Sequence, residues 1–220
     1  MYQPAHGKFL VDDPLALLAA LAEGGAATLV SYGDEGYLTT MLPMIVAPTL
    51  GAQGTLQGHV ARANPHWRAL EKQAWAVAIF YGPDAYISPA WYEEKRRNGK
   101  VVPTWNYSIV AVHGTVTVHH QHDWLLGNVR ALVERHEAPR HEPWALDDAP
   151  ADYIDVQAKA IVGIELTIER IDAKQKLTQN RSAEDFDGVV EALRAGQPRE
   201  QAVARDMEST TKRPPGATRS

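Results

Sequence analysis

The chain predicts a mainly β fold with peripheral helices, an α+β arrangement built around a small barrel. Two observations carry this expectation. About six short segments rich in β-branched and aromatic residues are separated by glycine-containing turns. Between them lie a few stretches whose apolar residues recur at helical spacing. Short, numerous strands joined by tight turns favour barrels, with helices left to cover their edges and ends.

The elements follow in order. Asp13 is placed to cap a first helix and Pro14 to occupy its first turn, with Leu15, Leu18 and Ala22 on one stripe and Gly24-Gly25 as the stop. Strands are expected at 26–32, 37–46 and 55–60, separated by Gly33-Asp34-Glu35-Gly36 and by the turn at 51–54. A short helix should start at Asn64-Pro65, followed by a buried strand at 75–81 that Gly82-Pro83 ends. A strand at 109–118 puts Val112, Gly114, Val116 and Val118 on one face, and a helix at 124–136 buries Leu125, Val129, Leu132 and Val133. In 161–171, Ile164, Leu166 and Ile168 alternate with Glu165, Thr167 and Glu169, the mark of a strand with one covered face. Ser182 opens a last helix with Asp185 as its capping-box partner and Phe186, Val189, Val190 and Leu193 on the stripe. Residues 1–196 read as one domain, and 197–220, poor in large apolar residues, as a loosely ordered tail.

Composition narrows the function. The 220 residues include no cysteine, which removes disulfides, thiol nucleophiles and thiolate metal sites, and fits a cytoplasmic chain. No basic start followed by an apolar run marks a secretory signal, and no run of about 18 apolar residues marks a membrane span. The formal net charge of −5 gives no support to nucleic-acid binding, which leans on phosphate neutralisation. DNA stays open as a partner only through a local patch such as Lys95, Arg96, Arg97 and Lys100. His119, His120 and His122 cluster without a metal-ligand spacing, so a solvated turn is expected there, and His113 is expected to be half-buried and partnered. The G-x-S-x-G, H-E-x-x-H, G-x-G-x-x-G and P-loop patterns are absent.

Four stretches could carry chemistry. In Gly58-His59-Val60-Ala61-Arg62-Ala63-Asn64-Pro65-His66-Trp67 a strand runs directly into a helix start, where free backbone N–H groups and Arg62 would suit a phosphate; a capped helix with a surface arginine is the alternative. Gly82-Pro83 through Trp91-Tyr92 gathers aromatics that could wall a flat ring, fill an interface or pack a core. Val102-Pro103-Thr104-Trp105-Asn106-Tyr107 offers donors and acceptors beside aromatic rings, or a turn with a packed tryptophan. Lys174-Gln175-Lys176-Leu177-Thr178-Gln179-Asn180-Arg181 concentrates polar groups before the last helix, as a binding loop or an ordinary connection.

Together with the Met1-Tyr2-Gln3-Pro4 opening and Ile161-Val162-Gly163, these stretches occur in the order found in the PaiB family of FMN-binding negative transcriptional regulators, which the chain resembles over about residues 1–195. The resemblance implies an FMN-binding split β-barrel of the pyridoxamine-oxidase type, assembled as a homodimer with flavin sites across its interface. It implies cofactor contacts from His59, Arg62, Asn64, Thr104, Trp105, Asn106, Lys176, Gln179 and Asn180, with Arg62 and Asn64 near the phosphate. Met41 stands where the family usually has histidine. The same groove would serve an oxidoreductase using flavin, deazaflavin or haem, and a dimer without cofactor would be an interaction module.

Overall fold

The computed structural model describes residues 1–2 and 7–218. Gln3 and Pro4 of the opening motif lie outside the described residues. Among the described residues, seven strands form one sheet in the order β2-β1-β5-β6-β7-β4-β3. They are β1 (Ala27–Gly33), β2 (Gly36–Leu42), β3 (Met44–Ala47), β4 (Thr55–Ala61), β5 (Trp75–Ile87), β6 (Thr104–His119) and β7 (Ile161–Lys176). The helices are α1 (Pro14–Gly24), α2 (His66–Lys72), α3 (Glu93–Asn98), α4 (His122–Glu137), α5 (Ala151–Lys159), α6 (Ala183–Arg194) and α7 (Pro198–Ser209).

The chain divides into two compact units, and the division falls within β5, β6 and β7. One comprises Met1–Leu17, Tyr81–Val110 and Ala173–Ser220; the other, larger one comprises Leu18–Phe80 and Ala111–Asp172. In the larger unit β1 pairs antiparallel with β2 through the Gly33–Gly36 turn, and β4 pairs with β3 on one side and β7 on the other. Alternation sends Leu56, Val60, Val162, Ile164, Leu166 and Ile168 into its core, as the sequence pattern requires. In the smaller unit Ile87, Tyr92, Leu177, Phe186, Val189, Leu193, Val203 and Met207 form the core.

Several boundaries differ from expectation for identifiable reasons. Pro43 lacks an N–H and splits the 37–46 segment into β2 and β3. Gly82-Pro83 does not end β5: pairing with β1 covers only Ala76–Ile79, so Pro83 sits where no β1 ladder bond is lost. Leu15 is exposed while Leu18 and Ala22 are buried, and the buried positions of α4 are Leu125, Asn128 and Leu132. Ser182 caps α6 by accepting from the Asp185 N–H, but the Asp185 carboxylate accepts from the Glu94 N–H instead of closing a capping box. The expected loose tail is a correction of larger consequence. Residues 198–209 form α7, and its Val203, Ala204 and Met207 are buried, three apolar residues at helical spacing being enough to dock a short amphipathic helix.

Gly114 shows how tightly the larger unit is packed. A Cβ there would collide with the Thr167 carbonyl on β7. Gly114→Ala is therefore expected to destabilise the protein by about 2–4 kcal/mol, read from the shift in urea midpoint.

Candidate functional site

In the larger unit, the strand-to-helix motif has its polar groups already engaged. The Arg62 guanidinium donates from Nε to the Lys159 carbonyl at 2.7 Å and from Nη2 to the Ile161 carbonyl at 2.8 Å. Its backbone N–H bonds Ala160 and its carbonyl accepts from the Trp67 indole. Arg62 thus pins the start of β7 to the turn before α2. Asn64 accepts from the His66 N–H and donates to the Thr40 hydroxyl at 3.1 Å. His59 Nδ1 pairs with Asn128 Oδ1 at 2.9 Å. Met41 points to solvent, three-quarters exposed on β2.

His66, part of the strand-to-helix motif but not expected at the cofactor, is the centre of this network. It is buried, with Ser31 Oγ 2.8 Å from Nε2 and Thr40 Oγ1 2.8 Å from Nδ1. With a hydroxyl at each ring nitrogen, a neutral imidazole can donate from one and accept at the other, so both nitrogens are satisfied without a charge. Burial holds the His66 pKa below the ordinary histidine value, in keeping with this neutral form. The other histidines point to different partners. His119 stacks on Trp124 with centroids 4.1 Å apart, so it is not in a solvated turn. His120 meets Glu71 at 2.9 Å, and His122 meets Asp155 at 3.0 Å. His113 pairs with Asp172 at 3.1 Å, the partnered arrangement its position suggested.

The smaller unit gathers a set of donors around one cavity. The start of β6, the end of β7 and the turn 178–181 enclose a cavity of about 120 Å³, lined by Thr104, Asn106, Lys176, Thr178, Asn180 and Arg181, with Tyr92, Val102 and Pro103. Lys176 Nζ donates to the Thr104 hydroxyl and, at 2.6 Å, to the Trp105 carbonyl. Its pKa lies below the usual lysine value, first because it is buried and then because Lys174 and Arg181 repel its charge. Arg181 lies with its guanidinium carbon 4.9 Å from the Tyr92 ring centre. Among the described residues no carboxylate lines the cavity. Two cations, Lys176 and Arg181, in one cavity lining suit an anionic ligand, which would offset the burial of their charge.

The turn that presents these groups is strained and held. Thr178 has φ +67°, the one left-handed backbone among the described non-glycine residues. Asn106, fully buried, donates to the Thr178 hydroxyl at 2.9 Å and accepts from it at 3.2 Å. Gln179 supports the same turn from behind, accepting from the Leu177 N–H and donating to the Gln175 carbonyl.

Of the residues expected at a cofactor, Thr104, Asn106, Lys176 and Asn180 come together here. Gln179 braces the turn, and Trp105 contributes its carbonyl while its ring, 53% exposed, meets Tyr86 edge-on. His59, Arg62 and Asn64 belong to the other unit. Arg181, Thr178 and Tyr92 were not singled out as cofactor contacts. Arg181 closes a polar run visible in the sequence, whereas Tyr92 is brought in only by tertiary packing.

Residues 1–170 match the family described as "Putative FMN-binding domain". The protease synthase and sporulation protein PAI 2 of Bacillus subtilis is 33% identical over 159 residues, covering 72% of this chain and 74% of that protein. The chain belongs to the PaiB family of FMN-binding proteins. An uncharacterized protein of Aspergillus fumigatus is 31% identical over 227 residues, 86% of each chain. Among solved structures, the flavocytochrome Anf3 of Azotobacter vinelandii aligns with a TM-score of 0.55 at 12% identity, over 80% of this chain and 72% of that one. The fold is the FMN-binding split β-barrel that the sequence motifs implied.

FMN, the cofactor of the PaiB family, suits the donor set found here. FMN carries a phosphate and ring carbonyls, and the described lining offers two cations, hydroxyls and two amides without a competing acid. The cavity is smaller than the few hundred cubic ångströms that enclose a whole ligand of flavin size, so it would take one end of the cofactor.

The buried histidine gives a pH test. With its folded pKa depressed, His66 stays neutral where the unfolded chain takes up a proton. Its contribution is fully present above pH about 6.5 and is lost as pH falls toward the folded pKa. Urea melts at pH 7.5 and 5.5 should show wild-type stability falling toward acid. His66→Gln should remove up to about 1.4 kcal/mol per pH unit of that dependence.

Proposed function

We propose that the protein is an FMN-binding homodimer acting as a PaiB-type negative transcriptional regulator, with the Lys176–Arg181 pocket receiving an anionic oxygen of the flavin. The observation that carries the reading is that Lys176 and Arg181 share the lining of one cavity with Thr104 and Asn180, and that no described acid lines it. Thr104, Asn180, Lys176 and Arg181 would hold the cofactor, and the Asn106–Thr178 pair would fix their directions. Bound FMN supplies redox chemistry; the protein's part is to bind, orient and shield it. Tyr81, Tyr86 and Trp105 are exposed aromatic residues of the smaller unit, suited to burial against a second copy. Among the described residues no helix is long and apolar enough to cross a membrane, and a cytoplasmic location fits the absence of cysteine. A redox enzyme is the second reading, favoured by the fold shared with a flavocytochrome.

The freshly purified protein should show a flavin absorption spectrum and release FMN on denaturation. Lys176→Ala and Arg181→Ala should each weaken FMN binding about tenfold to hundredfold, as expected for loss of a charged hydrogen bond. A colourless protein that takes up no added FMN would refute the flavin reading. Sedimentation as a monomer would refute the dimer, and bound flavin that cycles with a nicotinamide donor would favour the enzyme.

A further inference from the structure

The helix that composition left as a loose tail ends directly behind the pocket. Met207 in α7 is buried, and its Sδ accepts from Asn106 Nδ2 at 3.4 Å. The other bond from that amide goes to Thr178 Oγ1, so both Asn106 N–H groups are used, one toward the binding turn and one toward α7. The neighbouring Asp206 accepts from Ser108 Oγ at 2.9 Å, and Ser108 in turn accepts from Gln175 at 3.3 Å, one residue before Lys176. Two parallel chains of contacts therefore run from consecutive α7 residues to the two sides of the pocket's cations.

We propose that α7 is a positioning element for the binding pocket: through Met207 and Asp206 it holds Asn106 and Ser108, and through them keeps the 176–181 segment in its ligand-ready conformation. The inference rests on the reading of that pocket as the flavin site. It assigns a role to a helix beyond the residues that the family match covers. The physical reason is that Thr178 occupies a left-handed conformation that a β-branched residue holds only when its surroundings over-determine it. Asn106 supplies that determination only while its own amide is oriented, and a fully buried amide with one N–H unmet would reorient or admit water. Further contacts seat the helix and the segment after it. Arg199 meets Asp84 at 2.6 Å, and Lys212 reaches Asp12 at 2.8 Å.

Three full-length variants test this. Met207→Leu keeps the apolar volume but removes the sulfur acceptor, Asp206→Ala removes the Ser108 partner, and Val203→Ala thins the same core elsewhere on α7. Val203 is fully buried within the cluster that includes Met207. Hydrogen–deuterium exchange of the apoprotein is read at residues 176–181, alongside FMN affinity by fluorescence quenching and the melting temperature. Exchange in that segment should speed up about tenfold in Met207→Leu and Asp206→Ala, and FMN should bind about fivefold more weakly, with a changed visible band shape. Val203→Ala should melt lower yet leave both the segment's protection and the FMN affinity within about twofold of wild type. Unchanged protection of 176–181 in both Met207→Leu and Asp206→Ala would overturn the inference, as would an equal loss in Val203→Ala. If Lys176→Ala leaves FMN affinity untouched, the flavin assignment fails, while the exchange result still decides whether α7 holds the segment.

Discussion

The reciprocal hydrogen bonds between Asn106 and Thr178 are the constraint on which the candidate site depends. They join the start of β6 to the turn after β7, strands whose residues are far apart in sequence, and they do so with no water needed to complete them. They also maintain a β-branched residue at φ +67°, a conformation that costs of order 1–3 kcal/mol unless its neighbours impose it. With that turn fixed, Lys176, Asn180 and Arg181 face one small cavity. Without it they would be an ordinary polar loop, which is how the sequence also allowed them to be read.

Electrostatics gives the cavity its chemical sense. The chain is acidic as a whole, yet the cavity's charged lining is cationic and its lysine is burdened by burial and by two positive neighbours. Net charge therefore says little about what this protein can bind locally. The larger unit behaves differently. Arg62, the cation expected at a phosphate, spends its donors on backbone carbonyls, and His66 is kept neutral inside a hydroxyl and amide network. Both act there to hold strand ends and a helix entry in register.

Much of the fold was legible because it rests on periodicity. The alternation of Ile164, Leu166 and Ile168 and the stripe Phe186, Val189, Val190 and Leu193 are one-dimensional records of a buried face, and the structure buries them. Where local signals and tertiary context compete, context prevailed: Pro83 passes through a strand because β1 has already left its side, and Val203, Ala204 and Met207 suffice to dock a helix that composition made look loose. The site was legible as a set of motifs but not as an arrangement. Nothing along the chain says that Gln179 braces while Asn180 lines the cavity, that Trp105 acts through its carbonyl, or that His66 lies between Ser31 and Thr40. Those roles depend on which side of a strand or turn each group takes once distant segments meet.

The most direct test is a crystal structure of the protein with FMN bound. The account requires a flavin oxygen, from the phosphate or a ring carbonyl, within hydrogen-bond distance of Lys176 Nζ or the Arg181 guanidinium, with the Asn106–Thr178 pair intact. A flavin held elsewhere, with Lys176 and Arg181 facing only solvent, would contradict it.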